Sequence, residues 1–160
     1  KNQLWIADGK KTWCEKRDRS KYAPIFLKNK NLQDMTLVTS KNHGNEILRK
    51  LIHKINFCKV ETMGSIGCKI ASIVKGDSDI YICLSLPDKS SPKDWDFAAP
   101  ESILKAAGGA ITNLDNQELS YGKINFEQRG IIVATNNRNT HGSICLEIKN
   151  IIEKNNIYPF

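Results

Sequence analysis

Hydrophobic residues fall at helical spacing in four segments of the chain. In each segment apolar side chains recur every three or four positions, as on the buried face of an α-helix. The predicted helices cover residues 45–55, 66–75, 96–107 and 140–154. Gly76 caps the second and Gly108-Gly109 ends the third, because glycine readily adopts the backbone that closes a helix. Pro100 is expected about one turn into the third helix, where its missing N–H costs little.

Short runs of strand-forming residues lie between these helices. Residues 79–84 are nearly all apolar, so we expect a central strand that is covered on both faces. Further strands are expected at 4–7, 36–39, 57–63, 110–112 and 131–134, with a hairpin turn through Asp115-Asn116. Residues 85–93 hold two prolines and predict a loop.

Strands that alternate with helices predict an α/β layered domain over residues 36–160. The first 35 residues are polar and irregular apart from the strand at 4–7. We interpret them as the edge of a preceding domain and its connection. Because the chain opens at Lys1 in mid-strand, and not at a methionine, we expect these residues to be the C-terminal portion of a longer protein.

The composition is that of a globular protein with a basic surface. Of the 160 residues, 40% are hydrophobic and 26% are charged, which is enough for a real core. The formal net charge of +7 favours anionic partners, whether nucleic acid or phosphorylated metabolites. The densest basic cluster, residues 10–21, also holds Glu15 and Asp18 and is not interleaved with several aromatic side chains. A single-strand-binding surface is therefore not expected.

The cysteines give no sign of a disulfide framework or a zinc site. Their number is odd and no two form a C-x-x-C pair. Most lie beside apolar residues, so we expect buried, reduced thiols and a cytoplasmic location. No segment approaches 18 consecutive apolar residues, so no membrane span is expected. The five cysteines are Cys14, Cys58, Cys68, Cys83 and Cys145.

Residues 93–112 carry the most specific pattern in the chain. From Trp95 to Thr112 they resemble the C-terminal signature of the inositol monophosphatase superfamily, W-D-x-A-A/G-x-x-x-I/L-I/L-x-x-A-G-G-x-I/V/L-T/S. The Ala-Pro-Glu variant at 99–101 and the preceding Pro-Lys-Asp point to its CysQ-type 3′(2′),5′-bisphosphate nucleotidase branch. The resemblance implies a mixed central sheet flanked by helices, equivalent to the C-terminal domain of that fold.

Three shorter segments agree with the resemblance. Residues 63–81 are similar to the family's G-S-x-G-x-K and G-x-A-D-x-Y segments. Residues 40–43 resemble its S-R/K-x-H segment, and residues 115–121 resemble its D-x-x-G-x-x-L-x-Y hairpin. The resemblance therefore covers roughly residues 36–135.

The resemblance implies a metal ligand and a substrate-binding set. Asp96, the Asp of the W-D pair, would bind one of the catalytic Mg²⁺ ions, since Mg²⁺ prefers carboxylate oxygens. Read alone, outside this motif, Asp96 would be interpreted as a simple helix N-cap. Trp95 would pack the helix against the sheet and orient Asp96. The expected substrate-binding residues are His43, Gly64, Ser65 and Lys69.

Each of these residues also has an ordinary structural interpretation. Lys69 would contact the nucleotide phosphate, or it is a surface lysine of a helix. Gly64 and Ser65 open a helix whose backbone N–H groups can bind an anion, or Ser65 is a simple cap. His43 matches a family histidine near the substrate, and Ser40 is a weaker candidate. Three residues match no motif and are expected at the surface: Arg49, His53 and His141.

The implied reaction is magnesium-assisted hydrolysis of a phosphate monoester. The substrate would be 3′-phosphoadenosine 5′-phosphate, and the alternative within the class is an inositol or fructose phosphate. The family's N-terminal Glu pair and D-P-I/L-D-G-T/S loop are absent from these 160 residues. We therefore expect the N-terminal half of the same enzyme as partner, with a possible homodimer, and little activity from this chain alone. The competing interpretations are a non-catalytic domain that binds nucleic acid and an assembly module.

Overall fold

A mixed sheet of five strands forms the centre of the structure, a computed structural model that describes residues 3–24, 29–41, 46–86 and 89–157. The strand order is β5-β4-β6-β8-β7. β4 pairs in parallel with β5 and β6, whereas β8 pairs antiparallel with β6 and β7. The strands are β4 (Thr36–Ser40), β5 (Lys59–Met63), β6 (Ile80–Ser85), β7 (Ala110–Asn113) and β8 (Gly130–Thr135).

Four helices cover the two faces of this sheet. α1 and α4 pack on one face, and α2 and α3 pack on the other. The helices are α1 (Glu46–Ile55), α2 (Ile66–Lys75), α3 (Asp94–Ala106) and α4 (Arg138–Lys154). The predicted α/β layered fold with a mixed central sheet is confirmed.

β6 divides its side chains between two separate apolar cores. All six of its residues are buried. Ile80, Ile82 and Leu84 join the core under α1 and α4, and Tyr81 and Cys83 join the core under α2 and α3. Successive strand residues point to opposite faces, so a wholly apolar run is what a doubly covered strand requires.

The first 22 residues contain a second sheet, where the sequence predicted one strand and irregular chain. β1 (Gln3–Ala7), β2 (Thr12–Lys16) and β3 (Lys21–Tyr22) form an antiparallel meander. Arg19 turns the chain between β2 and β3 at φ 63°, and Cys14 is fully buried. Short strands of this kind are stabilised mainly by pairing with adjacent strands, so their sequences show only a weak strand pattern. The assignment of residues 1–35 to a preceding domain stays a prediction.

α3 begins two residues earlier than the spacing predicts. Lys93 is its N-cap, so Asp96 is its third residue and Pro100 its seventh. Pro100 is therefore nearly two turns into the helix, and not one. A proline lacks the N–H that would bond four residues back, so the Asp96 carbonyl has no donor at that position of the helix.

His141 is buried, and the expectation of a surface histidine is wrong. Its side chain is 1% exposed. Nε2 lies 2.8 Å from Thr112 Oγ1, and Nδ1 lies 2.9 Å from Thr135 Oγ1. Burial lowers the pKa of His141 to about 4, so the ring is neutral at physiological pH. The neutral ring joins α4 to β7 and β8. Arg49 and His53 are exposed, as expected.

The cysteines are reduced but not uniformly buried. All five are free, and Cys14, Cys83 and Cys145 are buried while Cys58 and Cys68 are exposed. The hairpin predicted through Asp115-Asn116 is present, with Thr112 and Glu118 bridged across it. Among the described residues, no helix is long and apolar enough to cross a membrane.

We predict that Gly109→Ala destabilises the chain. A Cβ at this position would lie 2.5 Å from the Thr135 carbonyl oxygen and 2.6 Å from Leu104 Cδ1, so the backbone of α3 or β8 would have to move. Thermal or urea unfolding should show a loss of about 1–3 kcal/mol. Gly67→Ala is the matched control, because its Cβ meets only Ser65 Oγ at 3.5 Å. An equal loss in both variants would contradict the packing explanation.

We also predict that His141 makes stability fall in acid. The folded-state pKa of about 4 lies below the ordinary histidine value of 6.5, so only the unfolded chain takes up this proton between pH 6.5 and 4. The free energy of unfolding should fall by roughly 3 kcal/mol as pH drops from 6.5 to 4, with no further contribution below.

Unfolding measured across this pH range should test this assignment. His141→Gln should remove that part of the pH dependence, whereas His53→Gln, at an exposed histidine, should retain it. An unchanged acid slope in His141→Gln would assign the proton uptake to another group.

Candidate functional site

A cavity of about 410 Å³ opens beside the ends of two parallel strands. Ser40 is the last residue of β4, and Gly64 follows the last residue of β5, so both lie at the carboxyl edge of the sheet. Ligands of open α/β sheets commonly bind outside this edge. The cavity is lined by Ser40, Gly64, Ser65, Ile66, Lys69, Tyr81, Ser90, Ser91, Pro92 and Asp96.

The cavity joins four of the five residues that the sequence predicted for the site. Asp96, Gly64, Ser65 and Lys69 come from two different helices and the turn before one of them. Ser40, the weaker candidate, lines it too. His43 lies outside the described residues, so its predicted role stays a prediction.

Lys69 is a fully buried cation. Its exposed fraction is 0%, so the interpretation as a surface lysine is wrong. Nζ donates a hydrogen bond of 3.1 Å to the Gly64 carbonyl and lies 5.4 Å from the centre of the Tyr81 ring. Burial lowers the pKa of Lys69 from its ordinary value, because the charged form loses its hydration.

No carboxylate lies within ion-pair distance of Lys69 in the described part of the chain. An ammonium group has three N–H donors, and one of them is accounted for by Gly64. Lys30 provides the contrast, since its Nζ lies 2.9 Å from the buried Asp79 carboxylate. A buried charge is normally paired, because leaving water is costly. Lys69 therefore lines the cavity as a cation that lacks a protein counter-anion among these residues.

Asp96 is exposed and keeps one carboxylate oxygen free of protein hydrogen bonds. Oδ2 accepts a 2.8 Å bond from the backbone N–H of Lys93, as expected for an acidic residue in the first turn of a helix. This bond fixes the carboxylate beside the cavity. Within the described residues, Oδ1 has no hydrogen-bond donor, so it can bind a ligand.

A buried polar network holds the first turn of α3 in place. Asp94 is 8% exposed, and its two oxygens accept bonds from the Gly122 N–H at 2.7 Å and from Gln128 Nε2 at 2.6 Å. Gln128 also donates to the Ser120 carbonyl, and its own N–H donates to the Pro92 carbonyl. The loop at 120–128 thereby fixes the turn that carries Asp96.

The N-terminus of α2 is open toward the cavity. Gly64 and Ser65 are exposed, and the Ser65 side chain makes no capping hydrogen bond. A Cβ at Gly64 would meet nothing within 4 Å, so the space beside the backbone is free. First-turn N–H groups carry partial positive charge and favour an anion. With Lys69 one turn further along, the two features make this wall of the cavity electropositive.

Some cavity residues were not predicted from the sequence, and the predicted place of Trp95 is wrong. Tyr81 looked like an ordinary core residue of a strand, and Ser91 like part of a loop, yet both are buried beside the cavity. Trp95 does not wedge α3 against the sheet. It is 66% exposed, and its ring contacts Phe126 at 5.9 Å.

A larger cavity of about 770 Å³ lies along the face of α3 that carries Ala98 and Ser102. Of its charged side chains, Lys105, Glu101 and Glu118 pair with one another, and Lys10 and Arg138 also line it. Lys105 pairs with Glu101 at 2.7 Å and with Glu118 at 3.0 Å, and Tyr121 donates a hydrogen bond to Glu101. Burial raises the pKa of Tyr121. The smaller cavity is the candidate site, because it lies at the carboxyl edge of the sheet and joins four of the predicted site residues.

The described residues include one candidate metal ligand and no complete metal site. They contain no cluster of three or more His, Cys, Asp or Glu side chains that could hold a metal ion. Asp96 fits Mg²⁺ as a single carboxylate ligand, because it is exposed, fixed by one oxygen and open at the other. Further ligands must come from elsewhere for Mg²⁺ to bind tightly.

The family of the chain follows from its similarity to known protein families. The family model described as Inositol monophosphatase family matches residues 1–153. The chain belongs to the inositol monophosphatase family. The resemblance read from residues 93–112 is confirmed.

Curated relatives carry the name of the branch that the sequence suggested. The 3′(2′),5′-bisphosphate nucleotidase 1 of Mus musculus is 29% identical over 119 residues, which cover 72% of this chain and 37% of that protein. The 3′(2′),5′-bisphosphate nucleotidase CysQ of Buchnera aphidicola is 36% identical over 85 residues, covering 53% of this chain and 30% of that protein. The matched segments span about a third of these relatives' length.

Solved structures of the family share the fold. Mycobacterium tuberculosis SuhB superposes with a TM-score of 0.65 at 15% identity, covering 95% of this chain and 54% of SuhB. Inositol monophosphatase-II from Staphylococcus aureus superposes with a TM-score of 0.62 at 21% identity, covering 91% of this chain and 53% of the other. At sequence identities of 15% and 21%, this structural similarity establishes the fold alone.

We predict that Lys69→Met stabilises the 160-residue chain. The substitution removes a buried charge that lacks a counter-anion while keeping an apolar stem of similar length. Residues kept for binding commonly cost stability, and the gain should be about 0.5–2 kcal/mol in urea unfolding.

Lys30→Met is the matched control for this prediction. It should destabilise the chain by about 1–3 kcal/mol, because the buried Asp79 carboxylate would lose its cation. If Lys69→Met were as destabilising as Lys30→Met, Lys69 would be a paired structural cation and not a binding group.

Proposed function

We propose that these residues form part of a magnesium-dependent phosphomonoesterase that hydrolyses 3′-phosphoadenosine 5′-phosphate to AMP and phosphate. The remaining metal ligands and the water-activating groups would come from an N-terminal half of the same protein. The names of the curated relatives support the choice of a bisphosphate nucleotide as substrate. The cytoplasm is the proposed location, and the free thiols are compatible with it.

One observation carries the proposal: a buried, unpaired ammonium group shares a cavity with a fixed, open carboxylate. Lys69 and Asp96 line the same 410 Å³ cavity and carry opposite charges. A cation that lacks a protein counter-anion favours a bound anion. A carboxylate with a free oxygen favours a divalent cation. A phosphate accompanied by Mg²⁺ would satisfy both groups at once.

Each residue of the cavity has a definite part in this proposal. Lys69 binds a phosphate oxygen, and the N–H groups at the start of α2, beside Gly64 and Ser65, bind others. Asp96 would hold Mg²⁺, which when bound supplies charge neutralisation at the phosphate and a more acidic water. His43 is proposed to lie near the substrate. Asp94 and Gln128 keep the Asp96 turn in place.

Two alternative functions can be distinguished from the proposed one by comparing substrates and ligands. An inositol or fructose phosphate phosphatase would release phosphate from those sugars faster than from the bisphosphate nucleotide. A nucleic-acid-binding domain would bind single-stranded oligonucleotide with steep salt dependence and show no preference for the bisphosphate. Phosphate release from all three esters and a salt titration with oligonucleotide, both on the polypeptide encoded by the whole gene, separate these functions.

We predict that Asp96→Asn, made in the polypeptide encoded by the whole gene, abolishes most magnesium-dependent turnover. The amide keeps the side-chain shape but loses the negative charge that a divalent cation needs. The fall in kcat/KM for the bisphosphate should be on the order of 100-fold, with a higher magnesium requirement, measured as phosphate release across a magnesium titration.

Asp77→Asn is the control, since Asp77 is an exposed carboxylate paired with Lys75 at the surface. It should leave turnover unchanged. Near-normal turnover of Asp96→Asn with an unchanged magnesium dependence would exclude Asp96 from the metal site.

A further inference from the structure

Tyr81 provides a neutral partner for the buried Lys69 cation. It is the second residue of β6, is 1% exposed, and lines the candidate cavity. Lys69 Nζ lies over its ring, 5.4 Å from the ring centre. β6 and α2 thus bring an aromatic face and an ammonium group together at the cavity lining.

The chemistry of this partner matters for binding an anion. The face of an aromatic ring carries negative electrostatic potential and attracts a cation within about 6 Å, most strongly when water is excluded. It lowers the cost of burying the ammonium without cancelling its charge. A carboxylate in the same place would neutralise Lys69 and compete with a phosphate for its N–H groups.

We propose that Tyr81 is a positioning residue for phosphate binding: its ring holds the Lys69 ammonium, still charged, where a phosphate in the cavity can reach it. The Gly64 carbonyl accepts one N–H, and the ring limits where Nζ can move, which leaves N–H donors for the ligand. This inference rests on the proposed function for its ligand.

The state of the Tyr81 hydroxyl is consistent with this role. Burial raises the pKa of Tyr81 well above its ordinary value, and the neighbouring Cys83 thiol acts in the same direction. The hydroxyl therefore stays neutral at physiological pH, and no phenolate charge competes for Lys69. The ring face, rather than the hydroxyl, is the group that acts.

Steady-state kinetics on the polypeptide encoded by the whole gene test the proposal with four variants. Tyr81→Phe keeps the ring, and its KM for 3′-phosphoadenosine 5′-phosphate should stay within about twofold of the native value. Tyr81→Leu removes the ring, and KM should rise about tenfold with a smaller change in kcat. Phe57→Leu, which removes a buried ring from the opposite core, should change neither.

A double-mutant cycle separates positioning from general packing. If Tyr81 acts through Lys69, then Tyr81→Leu should raise KM no further once Lys69→Met is present. If the two effects are additive, or if Phe57→Leu raises KM as much as Tyr81→Leu, the proposal is overturned.

A second measurement does not depend on catalysis. In the 160-residue chain with ¹³C-labelled lysine, the ε-methylene protons of Lys69, assigned by their loss in Lys69→Met, should be shifted upfield by the ring. The shift should persist in Tyr81→Phe and disappear in Tyr81→Leu. Inorganic phosphate should perturb this resonance at about tenfold lower concentration in the native chain than in Tyr81→Leu.

The two measurements distinguish failure of this inference from failure of the proposed function. If the whole protein hydrolyses no bisphosphate but the Lys69 resonance and its phosphate titration behave as expected, the proposed substrate is wrong and the role of Tyr81 stands. If the Lys69 resonance lacks the ring shift in the native chain, the role of Tyr81 is refuted. Should Tyr81→Leu not fold, Tyr81→Met replaces it, and the native resonance still decides.

Discussion

The Lys69 ammonium group is held out of water with no carboxylate beside it in the described part of the chain. A charge in that position is costly unless its surroundings compensate for the lost hydration. The Gly64 carbonyl and the Tyr81 ring compensate in part, and neither removes the positive charge. The surrounding fold therefore keeps the positive charge of Lys69 at the cavity, and this charge favours an anion there.

The part of the cavity lining that Asp96 forms is maintained by a different kind of interaction. Asp96 is exposed, so burial does not fix it; the Lys93 N–H does, together with the turn on which both residues lie. That turn is bound to the loop at 120–128 through Asp94 and Gln128, which are buried and hydrogen-bonded to each other. α2 and α3 pack together on one face of the sheet, so the two parts of the lining share a common apolar core.

Strong local patterns are the part of this fold that sequence analysis predicted well. α1, α2 and α4 each have an apolar stripe, and β6 is an unbroken apolar run, so their spacing alone indicates them. β2 and β3 were missed because they are short and polar, and depend on pairing with β1 and on a turn at Arg19. α3 was placed two residues late, since its start is set by the Lys93–Asp96 bond and by the loop at 120–128.

The sequence by itself determined the family and named the candidate site residues, because the signature at 93–112 and the Gly-Ser turn at 64–65 are contiguous runs. Tertiary structure alone decided the environment of each side chain. The burial of Lys69, the contact with Tyr81, the neutral state of His141 and the exposure of Trp95 all depend on residues far apart in the chain. Burial and electrostatic environment are set by which elements pack together, and no local pattern carries that information.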